Sequence, residues 1–218
     1  MVDGSKKILA PMNFQNFVLF LWKLSYVGVV WCKIQIYMST IKLHDKTFVK
    51  SITNEEICRE VKKVADRINR DYAGKRPVML GVLNGCFMFV AELLKNLEIE
   101  CEISFVKLSS YQGTNSTGVV REVLGLTESI AGRDVIIIED IVDTGLTMHG
   151  FIQLLKEEGA RSVEITSFLF KPDSVQFPDA TPKYIGKSIP TKFVLGYGLD
   201  FDEKGRNLDA LYILRPQE

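Results

Sequence analysis

The sequence predicts an α/β fold with a mainly parallel central sheet flanked by helices, and three observations support that prediction. Apolar runs of strand length alternate along the chain with amphipathic stretches of helical period. The run 134–138 (DVIII) is almost continuously apolar, as is typical of a strand that is buried on both faces. Hydrophobic residues make up 46% and charged residues 25% of the 218-residue chain, which is typical of a globular protein.

The predicted elements alternate between helix and strand from residue 41 onward. A helix begins after Thr53, because apolar residues recur with helical spacing over 57–68. Glu56 stands three residues after Thr53, which is the signature of a capping box. The other predicted elements are strands over 78–83, 102–108, 134–138 and 161–170, helices over 86–97 and 147–158, and a polar loop over 111–118.

Residues 1–37 differ from the rest and form a separate hydrophobic segment, which precedes a single domain over 38–218. Aromatic and aliphatic side chains crowd residues 14–37, but Lys23 interrupts them, which is costly in lipid. No small-residue cleavage site follows, so a signal peptide fits poorly. The segment could be an anchor, an additional packed element, or translated sequence upstream of a start at Met38. We expect membrane association only in the first of these cases.

Charge and cysteine content argue against two classes of partner. Lys and Arg number 27, as do Asp and Glu, so no basic nucleic-acid footprint is visible over the whole chain; a local basic patch stays open, and no nucleic-acid partner is expected. No two cysteines form a CxxC pair, so zinc is not expected. All four have apolar neighbours and are predicted to be buried free thiols in the reducing cytoplasm: Cys32, Cys58, Cys86 and Cys101.

The densest group of chemically useful side chains follows the strand over 134–138. Glu139 and Asp140 end that strand, and residues 143–147 (DTGLT) lead into the next helix. Ligands of open α/β sheets bind beyond the carboxyl ends of the strands, and a helix N-terminus offers free backbone N–H groups that suit a phosphate. We therefore expect a phosphate at 143–147, with sugar hydroxyls or a hydrated Mg²⁺ at the two acids.

Two other interpretations of this segment remain open. Asp143 and Thr144 could form only a turn and a helix cap, a position where both residue types are common. The acids could also belong to an aspartyl-phosphate enzyme, which needs a Lys and a Ser or Thr from later strands. Thr147, together with the small Gly145, favours the phosphate site over both of these interpretations, with a phosphate that is already part of the substrate.

The segment 135–148 resembles the phosphoribosyl pyrophosphate motif of purine phosphoribosyltransferases of the hypoxanthine–guanine type, and the resemblance extends over about 41–214. It implies the type I phosphoribosyltransferase fold with a small hood over the base site, formed by 182–190. It also implies Mg²⁺-dependent transfer of the 5-phosphoribosyl group from phosphoribosyl pyrophosphate to a 6-oxopurine, hypoxanthine or guanine, in purine salvage. The products would be IMP or GMP and pyrophosphate, and the enzyme would be a cytoplasmic homodimer or homotetramer.

The same resemblance implies roles for residues around the phosphoribosyl group. Asp143 would act as general base near purine N7. The phosphoribosyl-binding residues would be Glu139, Asp140, Asp143, Thr144, Gly145, Leu146 and Thr147. The pyrophosphate-binding residues would be Asn84, Gly85, Ser110, Tyr111 and Arg206. Mg²⁺ would be held by Glu139, Asp140 and Asp200.

At the pyrophosphate turn many family members carry a Lys where this sequence has Asn84. Backbone amides are therefore expected to do most of the binding there, through a non-proline cis peptide bond between Leu83 and Asn84.

The purine-binding residues implied by the resemblance lie in the C-terminal third. Lys171 would donate a hydrogen bond to the purine 6-oxo group, which favours hypoxanthine or guanine over adenine. Phe193 would stack on the base, and the Val194 backbone would contact its edge. Asp200 would complete this set and hold a second Mg²⁺ on pyrophosphate.

Two functions of other classes remain as alternatives. The chain could be a regulatory or RNA-binding protein that keeps the phosphoribosyltransferase fold, which would require a basic face. It could also be a binding module that residues 1–37 tether to a membrane. Neutral net charge and the purine-type segments around Lys171 and Phe193 favour the enzyme.

Overall fold

A computed structural model describes residues 40–110, 120–124 and 129–215. The predictions for residues 1–37 and for the loop over 111–118 lie outside the described residues. The chain separates into two compact units between Ile41 and Lys42, and the domain is the second unit, from Lys42 onward. The strands are β1 Thr40–Leu43, β2 Lys46–Ile52, β3 Val78–Leu83, β4 Glu102–Ser110, β5 Val120–Leu124, β6 Asp134–Val142, β7 Ser162–Phe170, β8 Tyr184–Ser188, β9 Val194–Leu195 and β10 Leu211–Leu214. The helices are α1 Asn54–Asp71, α2 Phe87–Lys95 and α3 Leu146–Glu157, with a 3₁₀ turn at Pro178–Ala180.

The main sheet is mostly parallel, as predicted. In the described part of the chain it contains six strands in the order β5-β4-β3-β6-β7-β8. All neighbours from β4 to β8 are parallel, and β5 runs antiparallel to β4. Parallel strands need crossover connections, and helices α2 and α3 lie in two of them.

The central strands β3 and β6 of the main sheet are buried on both faces, which explains their almost continuous apolar runs. Successive side chains of β3 alternate between two cores, because side chains in a strand point to opposite faces. Met79 belongs to the core that includes residues of α1 and α2, whereas Leu80 belongs to the core that includes residues of α3. In β6, Ile136 and Ile137 divide between the same two cores.

The capping box predicted at the start of α1 is confirmed. The Glu56 backbone N–H donates to Thr53 Oγ1 at 3.3 Å, and the Thr53 N–H donates to Glu56 Oε2 at 2.9 Å. These two bonds satisfy donors that the first helical turn would otherwise leave without partners.

A second, smaller sheet has the order β1-β2-β10-β9 in the described residues, and it was not predicted. The hood was expected at 182–190, and that expectation is wrong. Residues Tyr184–Ser188 instead form β8, the edge strand of the main sheet, parallel to β7. The Tyr184 ring is fully buried, and its hydroxyl donates to Asp71 Oδ2 at 2.9 Å, which ties β8 to α1.

Two further predictions need correction. Strand β6 continues to Val142 rather than ending at Ile138, because Glu139, Ile141 and Val142 keep their register with β7. Cys58 is exposed and Cys101 is only partly buried, whereas Cys86 is buried as predicted. Among the described helices, none combines the length and the apolar character that crossing a bilayer requires.

Asp134 stabilises the start of β6 by an ion pair whose contribution depends on pH. Two groups donate to Asp134 Oδ1: Arg161 Nε at 2.8 Å and the Ser162 hydroxyl at 2.7 Å. Arg161 Nη2 donates to Asp134 Oδ2. The hydrogen bonds from Arg161 and, less strongly, from Ser162 lower the pKa of Asp134 to about 2 from its ordinary 3.8. Since the folded-state pKa is depressed, the stabilisation is complete above the unfolded pKa and is lost as the pH falls toward 2.

We therefore expect Asp134→Asn to lower the free energy of unfolding by about 1–2 kcal/mol at neutral pH, since it weakens charge-assisted hydrogen bonds at a partly exposed pair. Urea unfolding of both proteins at pH 7, 5 and 3.5 measures the difference, which should be constant down to about pH 5 and shrink below it. The matched control is Asp66→Asn, in the exposed pair of Asp66 with Lys62. A difference that grows on acidification would contradict the assignment.

Candidate active site

The carboxyl end of β6 places two adjacent acids beside each other. Glu139 and Asp140 are both half-buried, and the Ile141 backbone N–H donates to Asp140 Oδ1 at 2.9 Å. Burial raises the pKa of Asp140. Burial and the neighbouring Asp140 charge raise the pKa of Glu139 well above its ordinary value. A ligand that neutralises negative charge is therefore favoured here.

The predicted phosphate loop, residues 143–147, connects β6 to α3 and borders a cavity of about 180 Å³. Its lining consists of Glu139 and residues 141–148. Gly145 is the N-cap of α3, has φ of 78°, and provides no side-chain cap. Apart from a long bond from the Leu146 N–H to Thr144 Oγ1 at 3.4 Å, the first-turn amides of α3 have no capping side chain, and the helix dipole adds positive potential at the same end. This arrangement fits an anion.

Asp143 and Lys171 face each other across the ends of two neighbouring strands. Lys171 Nζ donates to Asp143 Oδ2 at 2.5 Å. Lys171 is only 8% exposed, and its backbone N–H donates to the Val142 carbonyl at 3.0 Å, which fixes the position where β7 ends. The two residues were predicted to contact different parts of the substrate, and the structure brings their side chains together.

The predicted pyrophosphate turn lies directly against Asp140. The peptide bond between Leu83 and Asn84 is cis, as expected. A Cβ on Gly85 would lie 1.6 Å from Asp140 Oδ2, so only glycine fits without movement of that carboxylate. A Cβ on Gly198 would lie 1.9 Å from the Gly85 carbonyl oxygen. Gly198 is a site residue that the sequence analysis missed, and its only signal is that it is a glycine in the base-binding segment.

Arg206 and Asp200 form a second charged group beside this turn. Arg206 Nη1 donates to the Gly198 carbonyl at 3.0 Å, and its Nη2 lies 2.7 Å from Asp200 Oδ1. The Glu203 backbone N–H donates to the other Asp200 oxygen at 2.9 Å. Arg206 is therefore held next to the turn, where its charge can meet an anionic ligand.

Phe193 directly precedes β9, an edge strand of the small sheet, and Val194 is the first residue of that strand. Phe193 is 45% exposed, although its ring contacts Phe48 and Phe201 at centroid distances of 6.1 and 5.6 Å. An aromatic ring supported on one side and exposed on the other can stack on a planar ligand. Val194 is partly buried and pairs with Ile213 of β10.

Most of the predicted site residues therefore lie in two described groups. The first group comprises the two acids of β6, the phosphate loop and Lys171. The second group comprises the 84–85 turn, Asp200 and Arg206. The two groups are in contact where Gly85 lies against Asp140. Tyr111 lies outside the described residues, and only the backbone of Ser110 is described.

The acids present fit a magnesium ion bound jointly with a substrate. Among the described residues, no three His, Cys, Asp or Glu side chains converge to form a metal site of protein ligands alone. Mg²⁺ keeps several waters and is usually bound through one or two carboxylates together with substrate phosphates. The adjacent carboxylates of Glu139 and Asp140, with their raised pKa values, are suited to that role.

We expect Gly85→Ala to impair the site more than the fold. The new Cβ would displace the Asp140 carboxylate, so the specificity constant for the ligand that binds there should fall about tenfold or more. Steady-state kinetics measures the effect. Gly132→Ala is the control for backbone strain away from the site, because its φ of 72° disfavours alanine while the added Cβ would have no other atom within 4 Å. Equal kinetic losses in the two variants would contradict a local effect.

This combination, a phosphate loop after a pair of acids at the carboxyl end of a parallel sheet, defines a phosphoribosyl-binding protein. The family model for the phosphoribosyl transferase domain matches residues 49–202. The chain therefore belongs to the phosphoribosyltransferase family. Within that family it groups with the hypoxanthine–guanine phosphoribosyltransferases.

Two curated relatives and one solved structure illustrate this grouping. A hypoxanthine-guanine phosphoribosyltransferase of Lactococcus lactis subsp. lactis is 39% identical over 167 residues, covering 76% of this chain and 90% of that protein. One of Staphylococcus aureus strain Mu50 is 41% identical over 167 residues, with coverage of 76% and 93%. A crystal structure of a hypoxanthine phosphoribosyltransferase from Staphylococcus aureus superposes with a TM-score of 0.70 at 40% identity and covers 77% of this chain and 91% of that one.

Proposed function

We propose that the protein transfers the 5-phosphoribosyl group from phosphoribosyl pyrophosphate to a 6-oxopurine, hypoxanthine or guanine, and so serves purine salvage. The observation that supports this most directly is the pair formed by Asp143 and Lys171 beside the phosphate loop. A carboxylate and a lysine at that point can serve N7 and the 6-oxo group of one base. The names of the relatives support the same substrate class.

The proposed chemistry separates leaving-group departure from nucleophilic attack. The first-turn amides of α3 and the hydroxyls of Thr144 and Thr147 bind the 5′-phosphate and fix the ribose. Glu139 and Asp140 accept hydrogen bonds from the ribose hydroxyls, and they would also hold a Mg²⁺ ion, which would supply positive charge to stabilise the leaving group. The C1′–O bond breaks to give an oxocarbenium-like centre, and purine N9 forms the new bond to C1′.

Asp143 handles the proton during that attack. As electron density moves from the purine to C1′, the carboxylate accepts or shares the N7 proton, which keeps the base nucleophilic. Lys171 donates to the 6-oxo oxygen, whereas the 6-amino group of adenine would meet it as a second donor. Phe193 stacks on the base, and its exposed face leaves room for that contact.

The leaving pyrophosphate is proposed to bind at the 84–85 turn and Arg206. The Arg206 guanidinium is always charged and can donate to pyrophosphate oxygens. Asn84, which replaces a common Lys, contributes no charge, so the backbone of the turn and Arg206 carry most of the interaction. Asp200, paired with Arg206, would hold the second Mg²⁺ on pyrophosphate.

We also propose a cytoplasmic homodimer or homotetramer. The cysteines of the described residues are free, which fits a reducing compartment. Phe87, Ile103 and Phe105 expose 42, 42 and 39% of their surfaces on α2 and β4, and such apolar exposure favours contact between subunits. Analytical ultracentrifugation at several concentrations would give the subunit number, and a monomer throughout would overturn this part.

An absorbance assay tests the reaction itself. Purified protein is mixed with phosphoribosyl pyrophosphate and Mg²⁺, with hypoxanthine, guanine, xanthine, adenine and orotate in parallel wells. We expect nucleotide formation from hypoxanthine and guanine, abolished by EDTA and restored by added Mg²⁺. Turnover of adenine or orotate alone, or of no base, would contradict the proposal.

A further inference from the structure

A segment on one side of the phosphate loop, residues 175–180, packs against it closely, and we call this the buttress segment. The Gln176 backbone N–H donates to the Thr144 carbonyl at 3.0 Å. A Cβ on Gly145 would lie 2.7 Å from Ala180 Cβ and 3.1 Å from Val175 Cγ2, so the loop and the buttress segment are in direct contact. The position of the loop therefore depends on the position of this segment.

Asp179 fastens the buttress segment to helix α3. His149 Nδ1 lies 2.9 and 2.8 Å from the two carboxylate oxygens of Asp179, and Gln153 Nε2 donates to Asp179 Oδ2 at 3.0 Å. Because a carboxylate only accepts, the His149 Nδ1 carries the hydrogen. His149 and Gln153 are four residues apart and lie on the same helix face. The His149 ring also stacks on Phe177, with centroids 4.6 Å apart and planes at 19°.

The charge of Asp179 is retained in this arrangement. Burial raises the pKa of Asp179, but the hydrogen bond and charge of His149 hold that pKa below its ordinary value. The side chains of His149 and Asp179 are 37% and 32% exposed, so solvent does not fully screen the contact. A charge-assisted bond of this kind is stronger than a neutral one and directional.

We propose that Asp179 and His149 are positioning residues for the 5′-phosphate loop, which they hold in its binding geometry through the buttress segment. This inference rests on the proposed function, because it assigns the phosphate of the phosphoribosyl donor to residues 143–147. Neither side chain lines the cavity beside the loop, so both act through the backbone of the loop rather than on the ligand.

The location of the contact predicts which kinetic constants respond. Loosening the buttress segment displaces Gly145 and Thr144, and with them the first-turn amides that meet the phosphate. Phe193 is held in the small sheet and the Lys171 backbone by Val142, and only the Lys171 side chain contacts the loop, at Asp143, so purine binding should change less than phosphate binding. The expected signature is a larger change in phosphoribosyl pyrophosphate recognition than in base recognition.

The test compares Asp179→Ala, His149→Phe and the double variant by steady-state kinetics. His149→Phe keeps an aromatic ring against Phe177 but removes the donor. We expect each single variant to raise the KM for phosphoribosyl pyrophosphate about tenfold, while kcat and the KM for hypoxanthine change less than about twofold. The double variant should be no worse than Asp179→Ala, because that variant already removes the bond that His149→Phe removes. Independent, multiplying losses would overturn the proposal.

Glu164→Gln supplies the matched control. Glu164 accepts from Lys183 at 3.0 Å, and the two side chains are 34% and 43% exposed, close to the values of the Asp179 pair. This variant tests the loss of a comparable surface pair far from the loop and should leave the KM for phosphoribosyl pyrophosphate unchanged. An equal effect of Glu164→Gln and Asp179→Ala would show general destabilisation and overturn the proposal. If Asp179→Ala does not fold, Asp179→Asn, which keeps one acceptor oxygen instead of two, is expected to show the same split at reduced size.

Calorimetric binding of ribose 5-phosphate separates this inference from the proposed function. Wild-type protein should bind ribose 5-phosphate, and Asp179→Ala should bind it about tenfold more weakly. If the wild type binds ribose 5-phosphate but turns over no purine, the proposed function fails while the positioning role stands. If turnover is normal and the variant binds ribose 5-phosphate as the wild type does, the positioning role fails alone.

Discussion

Replacing Asp143 with Asn is expected to lower kcat by about 10²- to 10⁴-fold, because a positioned general base contributes a factor of that size. The amide is close to the carboxylate in shape and its oxygen can still accept from Lys171 Nζ, which lies 2.5 Å from Asp143 Oδ2 in the wild type. It cannot accept the N7 proton. The substitution therefore removes the chemistry while keeping most of the geometry.

Binding should change much less than turnover in this variant. We expect the KM values for hypoxanthine and phosphoribosyl pyrophosphate to stay within about tenfold of wild type, since the interaction is lost mainly in the transition state. Initial rates over a matrix of both substrates give kcat and both KM values. Asp66→Asn is the control, because Asp66 likewise accepts from a lysine, Lys62, at 2.7 Å. Near-normal kcat in Asp143→Asn would remove Asp143 from the role of general base.

Prediction from sequence succeeded where a local pattern and the chemistry of the site coincide. The run of β6 is apolar because both faces of the sheet are buried, and the acids and the phosphate loop follow it within a few residues. The capping box at Thr53 is likewise a contact between residues three apart. Such features need no knowledge of the tertiary fold.

Prediction failed where the structure depends on contacts between distant segments. The small sheet pairs β2, near the start of the domain, with β10 at its end, and neither strand is long enough to show a clear period. The resemblance implied a hood over the base at residues 182–190, but the middle of this segment, with the buried Tyr184, forms an edge strand of the main sheet. Tertiary packing decided both cases.

The site shows the same limit at the level of single contacts. Asp143 and Lys171 were each predicted as site residues, but a separation of 28 residues gave no sign that their side chains would meet. The link from His149 to Asp179 spans 30 residues, and nothing in the local sequence around His149 indicates it. Close approach of Gly198 to Gly85 is a property of two backbones, and a glycine in a sequence does not say what approaches it.

The second large effect is expected from Lys171→Ala. Lys171 is nearly buried, and its Nζ is directed toward Asp143 at the place proposed for the purine 6-oxo group. Loss of this donor leaves the 6-oxo oxygen without its partner, and it also leaves the Asp143 carboxylate without its cation. We therefore expect kcat/KM for hypoxanthine and guanine to fall about 10²-fold.

The discriminating measurement is the ratio of hypoxanthine to adenine use rather than either rate alone. A lysine donor meets the amino donor of adenine unfavourably, so its removal should narrow the ratio while ribose 5-phosphate binding stays within about threefold of wild type. Lys183→Ala is the control, because Lys183 donates to Glu164 at 3.0 Å, outside the site. If hypoxanthine kinetics are unchanged in Lys171→Ala, the 6-oxo group must be recognised elsewhere. Because Asp143→Asn keeps Lys171 and Lys171→Ala keeps Asp143, the two variants together separate proton transfer from base recognition within one pair of side chains.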